Sequence, residues 1–331
     1  MNAPLVTTLS DGTNGRQRVQ TTARTIHTVP QLVQAGLVSA ADQTELETVA
    51  RRFSIALPTA LANLLQAPDA PPGLVRQFVP TTNELTELPE ELADPIGDGA
   101  HSPLPGLVHR YADRVLLMPV KVCPVYCRFC FRRETVGDGQ IGLTTEQLSS
   151  ALNYIRAHPE VWEVILSGGD PLILSATKLK RLVGELNAIP SVRTIRVHTR
   201  VPLLDPSRVT EGLVSALRQK TALWVAVHAN HPAEFTQQGA AALQRLVDAG
   251  IPLLGQTVLL RGVNDEVDTL QALFREMVAH RIKPYYLHHT DLARGTSHFR
   301  VDLAQGQGLM RGLRGRLSGI AQPTYVLDIP G

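Results

Sequence analysis

From residue 114 to the end of the chain, short apolar runs alternate with longer stretches in which apolar residues recur at helical spacing. Such runs predict strands, and such stretches predict amphipathic helices. Six runs predict strands, and they begin near Val115, Trp162, Arg193, Ala222, Pro252 and Lys283. After the first, longer unit the strand starts recur at roughly 30-residue intervals, which is typical of a repeated βα unit.

The stretches between these strands carry the signals of helix ends. Residues 144–158 open with Thr144 and Gln147, a capping-box pair, and residues 234–250 end in a glycine. Repeated right-handed βα units build a parallel sheet. Because six units are two short of a closed eight-stranded barrel, the pattern predicts an α/β fold, a partial (β/α)6 parallel barrel.

The first third of the chain has a different pattern. Ser39 and Asp42 form a capping signature ahead of apolar residues at helical spacing, and residues 58–66 predict a second short helix. Residues 67–106 are rich in Pro, Glu and Asp and predict an extended segment. We therefore expect a disordered tail over 1–24, a helical and extended N-terminal region over 25–106, and the partial barrel over 107–331.

Composition narrows the class of protein. Hydrophobic residues make up 44% of the chain and charged residues 19%, which excludes a wholly disordered protein. The net charge is only +2, so no excess of one sign indicates binding to nucleic acid or to an anionic membrane. No apolar run approaches the roughly 20 residues of a spanning helix, and the N-terminus lacks the apolar stretch of a signal peptide. We expect a cytoplasmic protein.

The three cysteines of the chain, Cys123, Cys127 and Cys130, all fall on one loop after the first predicted strand of the barrel. Their number and spacing exclude a disulfide framework. Three thiolates spaced C-x3-C-x2-C can hold three irons of a 4Fe–4S cluster and leave the fourth iron open. The alternative is a zinc site. Structural zinc usually takes four ligands, and a neighbouring histidine would have to replace the missing fourth cysteine.

Polar residues also follow the other predicted strands. They form the segments Ser167-Gly168-Gly169-Asp170, His198-Thr199-Arg200, His228-Ala229-Asn230-His231 and His288-His289-Thr290-Asp291. In barrels of parallel strands, the loops at the carboxyl ends of the strands form the active site. We therefore expect these segments and the cysteine loop to meet on one face of the barrel.

The cysteine loop on the first barrel strand resembles that of the radical S-adenosylmethionine (SAM) enzymes. In that superfamily SAM chelates the open iron, and an electron from the cluster cleaves it to a 5′-deoxyadenosyl radical. The resemblance implies that Ser167, Gly168, Gly169 and Asp170 form the glycine-rich motif that meets the SAM amino group. Glycine suits that position because the backbone must come close to the ligand.

Over roughly residues 94–331 the chain is similar to the lysine 2,3-aminomutase family. The motifs that carry this likeness include CPVYCRFCFRR, ILSGGDPL, the segment from Gln256 to Asn264, and KPYY. Members use pyridoxal phosphate (PLP) together with SAM to move an amino group from C2 to C3 of an amino acid.

The resemblance also implies roles for individual residues of this chain. Arg132 matches the arginine that binds the substrate carboxylate, and Asp291 and Asp328 match the pair that binds the ε-ammonium of lysine. The residues implied in cofactor binding are Arg110, Tyr111, Arg114 and Gln256, around PLP, and His228. A guanidinium fork suits a carboxylate, and two carboxylates suit an ammonium.

One expected catalytic residue is missing from this sequence. In the family, the stretch that begins at Asp328 continues to the lysine that forms a Schiff base with PLP, whereas this sequence stops at Gly331. None of the five lysines present replaces it, so the catalytic residue stays unknown. We expect either a clipped chain or PLP held without a covalent anchor. The C-terminal cysteine-bearing extension of larger members is absent as well, so we expect no structural zinc.

Three functions remain open at this point. The first is an isomerase that converts free L-lysine to β-lysine, and the second is β-lysine formation for the modification of elongation factor P. The third is an iron–sulfur or zinc protein without catalytic activity. For either enzyme we expect L-lysine as the small-molecule partner and a flavodoxin or ferredoxin as the electron donor. The sequence leaves homo-oligomerisation open.

Overall fold

The computed structural model of the protein describes residues 25–137 and 139–329, so the predicted tail lies outside the described residues. A single sheet of eight strands organises the fold, with its strands in chain order. The strands are β1 (Leu107–Tyr111), β2 (Arg114–Val120), β3 (Glu163–Gly168), β4 (Thr194–Thr199), β5 (Ala222–His228), β6 (Leu253–Val258), β7 (Ile282–His288) and β8 (Thr324–Val326).

The six predicted barrel strands are confirmed as β2 to β7, and the number of strands in the sheet needs correction. Strand β1 pairs antiparallel to β2, and β8 pairs parallel to β7 at the other edge. Because β1 is half polar and β8 spans only three residues, neither shows a strand pattern in the sequence. Strands β1 and β8 are the two edges of the sheet, so the barrel is open, as predicted.

Helices cover one face of the sheet and build the N-terminal region. They are α1 (Val29–Gln34), α2 (Gln43–Arg52), α3 (Thr59–Leu65), α4 (Pro72–Arg76), α5 (Thr145–Ala157), α6 (Ala176–Asn187), α7 (Val201–Leu204), α8 (Glu211–Leu217), α9 (Gln237–Asp248), α10 (Val267–Ala279) and α11 (Leu303–Leu313). The capping box of Thr144 and Gln147 opens α5, as predicted. None of the described helices is long and apolar enough to cross a membrane.

Two helix starts differ from the prediction. Ser39 caps a 3-10 turn over Ala40–Asp42, and α2 follows directly after that turn. The predicted helix over 234–250 begins instead at Gln237. Glu234 lies in a separate 3-10 turn, where its carboxylate accepts hydrogen bonds from two preceding backbone N–H groups. In both cases a local side-chain bond stabilises a short turn ahead of the helix.

The N-terminal region shares its core with the barrel. Leu32, Leu61, Leu74 and Phe78 are buried in the same hydrophobic cluster as Leu117 of β2. The segment 67–106 is mainly irregular, as expected, but it contains α4 and two 3-10 turns, Thr82–Leu85 and Gly99–His101. This segment therefore brings the N-terminal region against the loops at the carboxyl ends of the strands.

Candidate active site at the carboxyl ends of the strands

A cavity of about 360 Å³ opens at the carboxyl ends of the barrel strands. All fifteen candidate site residues from the sequence line it, namely Arg110, Tyr111, Arg114, Cys123, Cys127, Cys130, Arg132, Ser167, Gly168, Gly169, Asp170, His228, Gln256, Asp291 and Asp328. The candidate residues therefore lie together at the carboxyl ends of the strands, as expected from the sequence.

The cysteine loop leaves β2 and brings the three thiols together at one end of the cavity. Burial raises the pKa of all three thiols, to about 11 for Cys130. The charges of Cys127 and Cys130 add to the rise in the pKa of Cys123, so the three sulfur atoms lie close enough to interact. A bound metal centre would supply the positive charge that keeps buried thiolates ionised.

A cluster and a single metal ion make different demands on three thiols. Among the residues that the structure describes, no group of three or more His, Cys, Asp and Glu side chains is arranged to hold one metal ion. A zinc ion would require its ligands to converge on one point. In a 4Fe–4S cluster each thiolate binds a different iron, so three thiols on one loop fit without converging.

Two arginines of the same loop fasten it to the N-terminal region. Arg128 and Arg133 both point at the buried carboxylate of Glu84, to which Arg128 donates from Nε at 3.0 Å. Burial raises the pKa of Glu84, but the two guanidinium groups outweigh that effect and hold the pKa below its usual value. Arg128 also donates to the backbone oxygen of Ser54 at 2.8 Å. The N-terminal region thus fixes the backbone on which the cysteines sit.

The turn after β3 owes its shape to two glycines. Gly168 has φ of +95°, and a Cβ on Gly169 would lie 2.3 Å from the backbone oxygen of Val122 in the cysteine loop. The carboxylate of Asp170 accepts hydrogen bonds from Thr199 Oγ1 and the Arg200 backbone N–H, both at 2.8 Å. These bonds hold the turn against the end of β4. Both carboxylate oxygens of Asp170 therefore accept hydrogen bonds within the protein. A contact between Asp170 and SAM remains a prediction.

Histidines and an amide cover the floor of the cavity. Gln256 Nε2 lies 2.7 Å from His288 Nε2, and His228 Nε2 lies 3.0 Å from Asn230 Oδ1. Burial lowers the pKa of His198 and His228 well below the usual value, which favours the neutral form of both rings. His198 Nε2 is buried without a hydrogen-bond partner among the described residues. A buried polar atom facing a cavity in this way calls for a bound ligand.

Basic side chains form the wall contributed by β1 and β2. Arg110 donates from Nη2 to the backbone oxygen of Ile96, and its Nε is buried without a partner among the described residues. The guanidinium carbon of Arg114 lies 3.8 Å from the ring centre of Tyr111. Guanidinium groups around a cavity suit a phosphate group.

Further charged groups that line the cavity are arranged in two sets. Arg132 Nη2 lies 2.5 Å from Asp98 Oδ2, and His288 Nδ1 lies 3.0 Å from Asp328 Oδ2. Burial and the nearby charge of Asp328 raise the pKa of Asp291 to about 6. The pKa of Asp328 is held below its usual value, first by its hydrogen bond with His288. A cation beside these two carboxylates would favour the ionised form of Asp291.

Four of the titratable residues that line the cavity were not among the candidates from the sequence. His198, Arg200 and His288 were noted only as residues that follow strands, and Asp98 was missed entirely. Asp98 lies in a segment rich in acidic residues, and nothing in its neighbourhood distinguishes it from them. Its ion pair with Arg132 joins positions 34 residues apart and becomes visible only in the fold.

Comparison with known proteins agrees with this geometry. Residues 117–273 match the model of the Radical SAM superfamily. The chain is 38% identical over 306 residues to an L-lysine 2,3-aminomutase of Clostridium subterminale, covering 92% of this chain and 74% of that protein. It is 42% identical over 256 residues to the enzyme of that name from Fusobacterium nucleatum, covering 77% of this chain and 60% of that protein.

Two further likenesses place the chain more broadly. A glutamate 2,3-aminomutase of Clostridioides difficile is 32% identical over 285 residues, covering 86% of this chain and 67% of that protein. A radical SAM methyltransferase from Sphaerobacter thermophilus shares the fold, with a TM-score of 0.52 at 20% identity, covering 67% of this chain and 68% of that one.

The relatives differ from this chain in length and are known by their cofactors. The chain spans 60% of the length of the Fusobacterium relative. Radical SAM proteins carry a 4Fe–4S cluster and SAM, and the lysine 2,3-aminomutases use PLP in addition. With 38% identity over 92% of its length, the chain belongs to the lysine 2,3-aminomutase family of radical SAM proteins.

Proposed function

We propose that the protein is an isomerase that moves the α-amino group of L-lysine to C3 and so forms β-lysine. The observation that carries this proposal is one cavity lined by the three cysteines, by Arg132, and by the acidic pair of Asp291 and Asp328. When bound, the cluster and SAM supply an organic radical, and PLP carries the migrating nitrogen.

The cysteine loop would hold the cluster. Cys123, Cys127 and Cys130 would supply three thiolates, and the turn over Ser167–Asp170, which packs on Val122 of the same loop, would face the SAM bound to the cluster. Reduction of the cluster would need an external electron. We propose that a low-potential flavodoxin or ferredoxin delivers it.

The carboxylate and the ε-ammonium of lysine would each bind protein groups of the opposite charge. Arg132 is positioned to take the substrate carboxylate, and it would then exchange the carboxylate of Asp98 for that of the substrate. This exchange keeps the guanidinium paired throughout, which avoids the cost of a buried unpaired charge. Arg110 and Arg114 would hold the phosphate of PLP, with Tyr111 and Gln256 beside its ring.

The acidic pair decides between substrates. Asp291 and Asp328 would face the ε-ammonium of lysine, and bringing a cation between them removes the repulsion that raises the pKa of Asp291. A glutamate side chain would place a third carboxylate in the same space. The charge of the pocket therefore favours lysine over the substrate named for the Clostridioides difficile relative.

The test is product formation with matched amino acids. Protein loaded with iron, sulfide, SAM and PLP is reduced and given L-lysine, L-glutamate or L-norleucine, which has the length of lysine without its ammonium group. We expect mass spectrometry to detect β-lysine and no 3-amino isomer of the other two. Equilibrium binding, measured in parallel, should show the same preference. Binding or conversion of glutamate in preference to lysine would contradict the proposal.

A further inference from the structure

Arg200, the first residue after β4, reaches from the sheet to the cysteine loop. Its Nη1 donates a hydrogen bond to Cys127 Sγ over 3.0 Å. Burial works against the charge of Arg200, but the charges of Cys127 and Glu234 more than compensate and raise the pKa of the guanidinium. Burial raises the pKa of the Cys127 thiol, and Arg200 opposes that rise. A charged donor therefore faces one of the three sulfur atoms.

The remaining contacts of Arg200 fix the guanidinium in place. Its Nη2 donates to Glu234 Oε2 at 2.7 Å and to Gln77 Oε1 at 3.1 Å. Glu234 is fully buried, and its other oxygen accepts the backbone N–H groups of Asn230 at 2.9 Å and His231 at 3.0 Å. Arg200 and Glu234 thus each bond to further groups of the protein besides each other. Neither side chain can rotate away without leaving a buried polar group unpaired.

The ion pair contributes little to stability by its charges alone. Taking both charges out of water costs about as much free energy as their attraction returns. Arg196 and Glu163, two neighbours of this pair on β4 and β3, form another ion pair at 3.1 Å, and neither hydrogen bonds a cysteine. Arg200 differs from Arg196 because Nη1 of its guanidinium donates a hydrogen bond to a cysteine sulfur.

We propose that Arg200 sets the reduction potential of the cluster through its hydrogen bond to Cys127, with Glu234 as the counterion that limits the effect. The inference rests on the proposed role of the three cysteines as cluster ligands. Reduction by one electron from a low-potential donor adds a negative charge to the cluster and its thiolates. A cationic donor on a sulfur stabilises that reduced form and raises the potential. Arg200 is thus a positioning residue that acts through Cys127 Sγ.

The two members of the pair should shift the potential in opposite directions. In Arg200→Gln the equilibrium constant for reduction should fall about tenfold, which is a shift of about 59 mV toward negative potential for one electron. In Glu234→Gln the potential should rise, because a buried negative charge is removed. The amide oxygen can still accept the backbone N–H groups of Asn230 and His231, whereas the bond from Arg200 Nη2 is lost. Arg200→Lys should lie between wild type and Arg200→Gln, since lysine keeps the charge without the guanidinium fork.

The experiment is a redox titration of the reconstituted clusters, followed by electron paramagnetic resonance of the reduced form. Arg196→Gln serves as the matched control, with an unchanged potential expected. Shifts of opposite sign for the Arg200 and Glu234 variants support the inference, because simple loss of packing would disturb both in the same way. If Arg200→Gln binds no cluster, the test rests on the other two variants. The potential should then fall in Arg200→Lys and rise in Glu234→Gln.

Failure of this inference can be told apart from failure of the proposed function. A wild-type protein that forms no cluster on its cysteines would overturn both. A cluster whose potential is unaffected by the Arg200 and Glu234 substitutions, or shifted in the same direction by both, would overturn this inference and leave the proposed function intact.

Discussion

At the scale of single residues, the cavity is a set of charges whose balance depends on what is bound. Asp291 and Asp328 share one end of it, and the pKa of Asp291 is about 6 because of burial and its acidic neighbour. An ammonium ion bound beside the two carboxylates attracts both of them and so offsets their mutual repulsion. Ionisation of Asp291 is therefore unfavourable in the free protein and becomes favourable when a cation binds beside it.

This arrangement predicts that lysine binds more weakly in acid. The ε-ammonium stays charged throughout, whereas Asp291 takes up a proton as the pH falls through about 6. Below that pH the affinity for L-lysine should fall by about tenfold per pH unit at most, the limit for one linked proton. Calorimetric titration at several pH values measures the effect, with L-norleucine as the control ligand. Asp291→Asn should remove the pH dependence, and an unchanged profile in that variant would contradict the assignment.

Arg132 and Asp98 should respond to substitution in opposite ways. Arg132→Lys loses a two-pronged contact with the substrate carboxylate, so lysine affinity should fall by roughly 10- to 150-fold while iron content stays the same. Asp98→Asn removes the carboxylate that now occupies Arg132, so the affinity should stay level or rise. Both are measured as dissociation constants for L-lysine. A large loss of affinity in Asp98→Asn alone would show that Asp98 contacts the substrate directly.

At the scale of elements, the site depends on close contact between the cysteine loop and its neighbours. The turn after β3 fits against the loop only because Gly169 lacks a side chain. On the other side, Glu84 of the N-terminal region neutralises Arg128 and Arg133. Each contact can be tested by a substitution far from the substrate.

Gly169→Ala should prevent the cluster from assembling. Its Cβ would lie 2.3 Å from Val122 O and 2.6 Å from Val122 N, and both atoms are backbone that can yield only by moving the cysteine loop. Gly184→Ala is the control, because it lies in α6 with nothing within 4 Å of the added carbon. That change should raise the free energy of unfolding by about 0.5–1 kcal/mol. Iron per chain and denaturant unfolding are measured for both, and full iron content in Gly169→Ala would contradict the prediction.

Glu84→Gln should destabilise the protein strongly and in a pH-dependent way. It leaves two buried guanidinium groups without their carboxylate, at a cost of about 3–5 kcal/mol near neutral pH. Because the folded protein depresses the pKa of Glu84, its contribution is present above the unfolded pKa and disappears as the pH falls below it. Denaturant unfolding of both proteins should therefore give curves that converge in acid. A constant difference at every pH would be the contrary result.

The residues show how much of this could be predicted from the sequence. The pattern of apolar residues predicted β2 to β7, and the placement of polar residues after those strands predicted that the cysteine loop would meet Asp170, His228 and Asp291. The remaining candidates on the other wall, such as Arg110 and Asp328, came from the family resemblance. What the pattern could not predict are pairings between distant positions of ordinary composition. Gln77 and Glu234 hydrogen bond across 157 residues, and neither carries a local signal. The two edge strands were missed for the same reason, since they depend on a neighbouring strand more than on their own pattern.

At the scale of the whole molecule, the N-terminal region and the barrel share one hydrophobic cluster. The division of the chain into parts at residue 107 stays a prediction, but this shared core implies that the parts unfold together. Two tryptophans report on the barrel, Trp162 just before β3 and Trp224 within β5.

Leu74→Ala tests this coupling. Leu74 lies in α4 of the N-terminal region and is fully buried, so its truncation should cost about 2–5 kcal/mol. If the molecule unfolds as one unit, tryptophan fluorescence should report that full loss although both tryptophans lie elsewhere. A fluorescence transition that stays at the wild-type midpoint, while circular dichroism shows a separate earlier one, would mean that the parts unfold independently.

The central claim is that one cavity holds a cluster on three cysteines and L-lysine between Arg132 and the acidic pair. The most direct measurement is anomalous diffraction at the iron edge from crystals of reconstituted protein with SAM, PLP and L-lysine. We expect iron density beside Cys123, Cys127 and Cys130, with the lysine carboxylate on Arg132 and its ammonium between Asp291 and Asp328. Iron density elsewhere, or lysine bound outside this cavity, would contradict it.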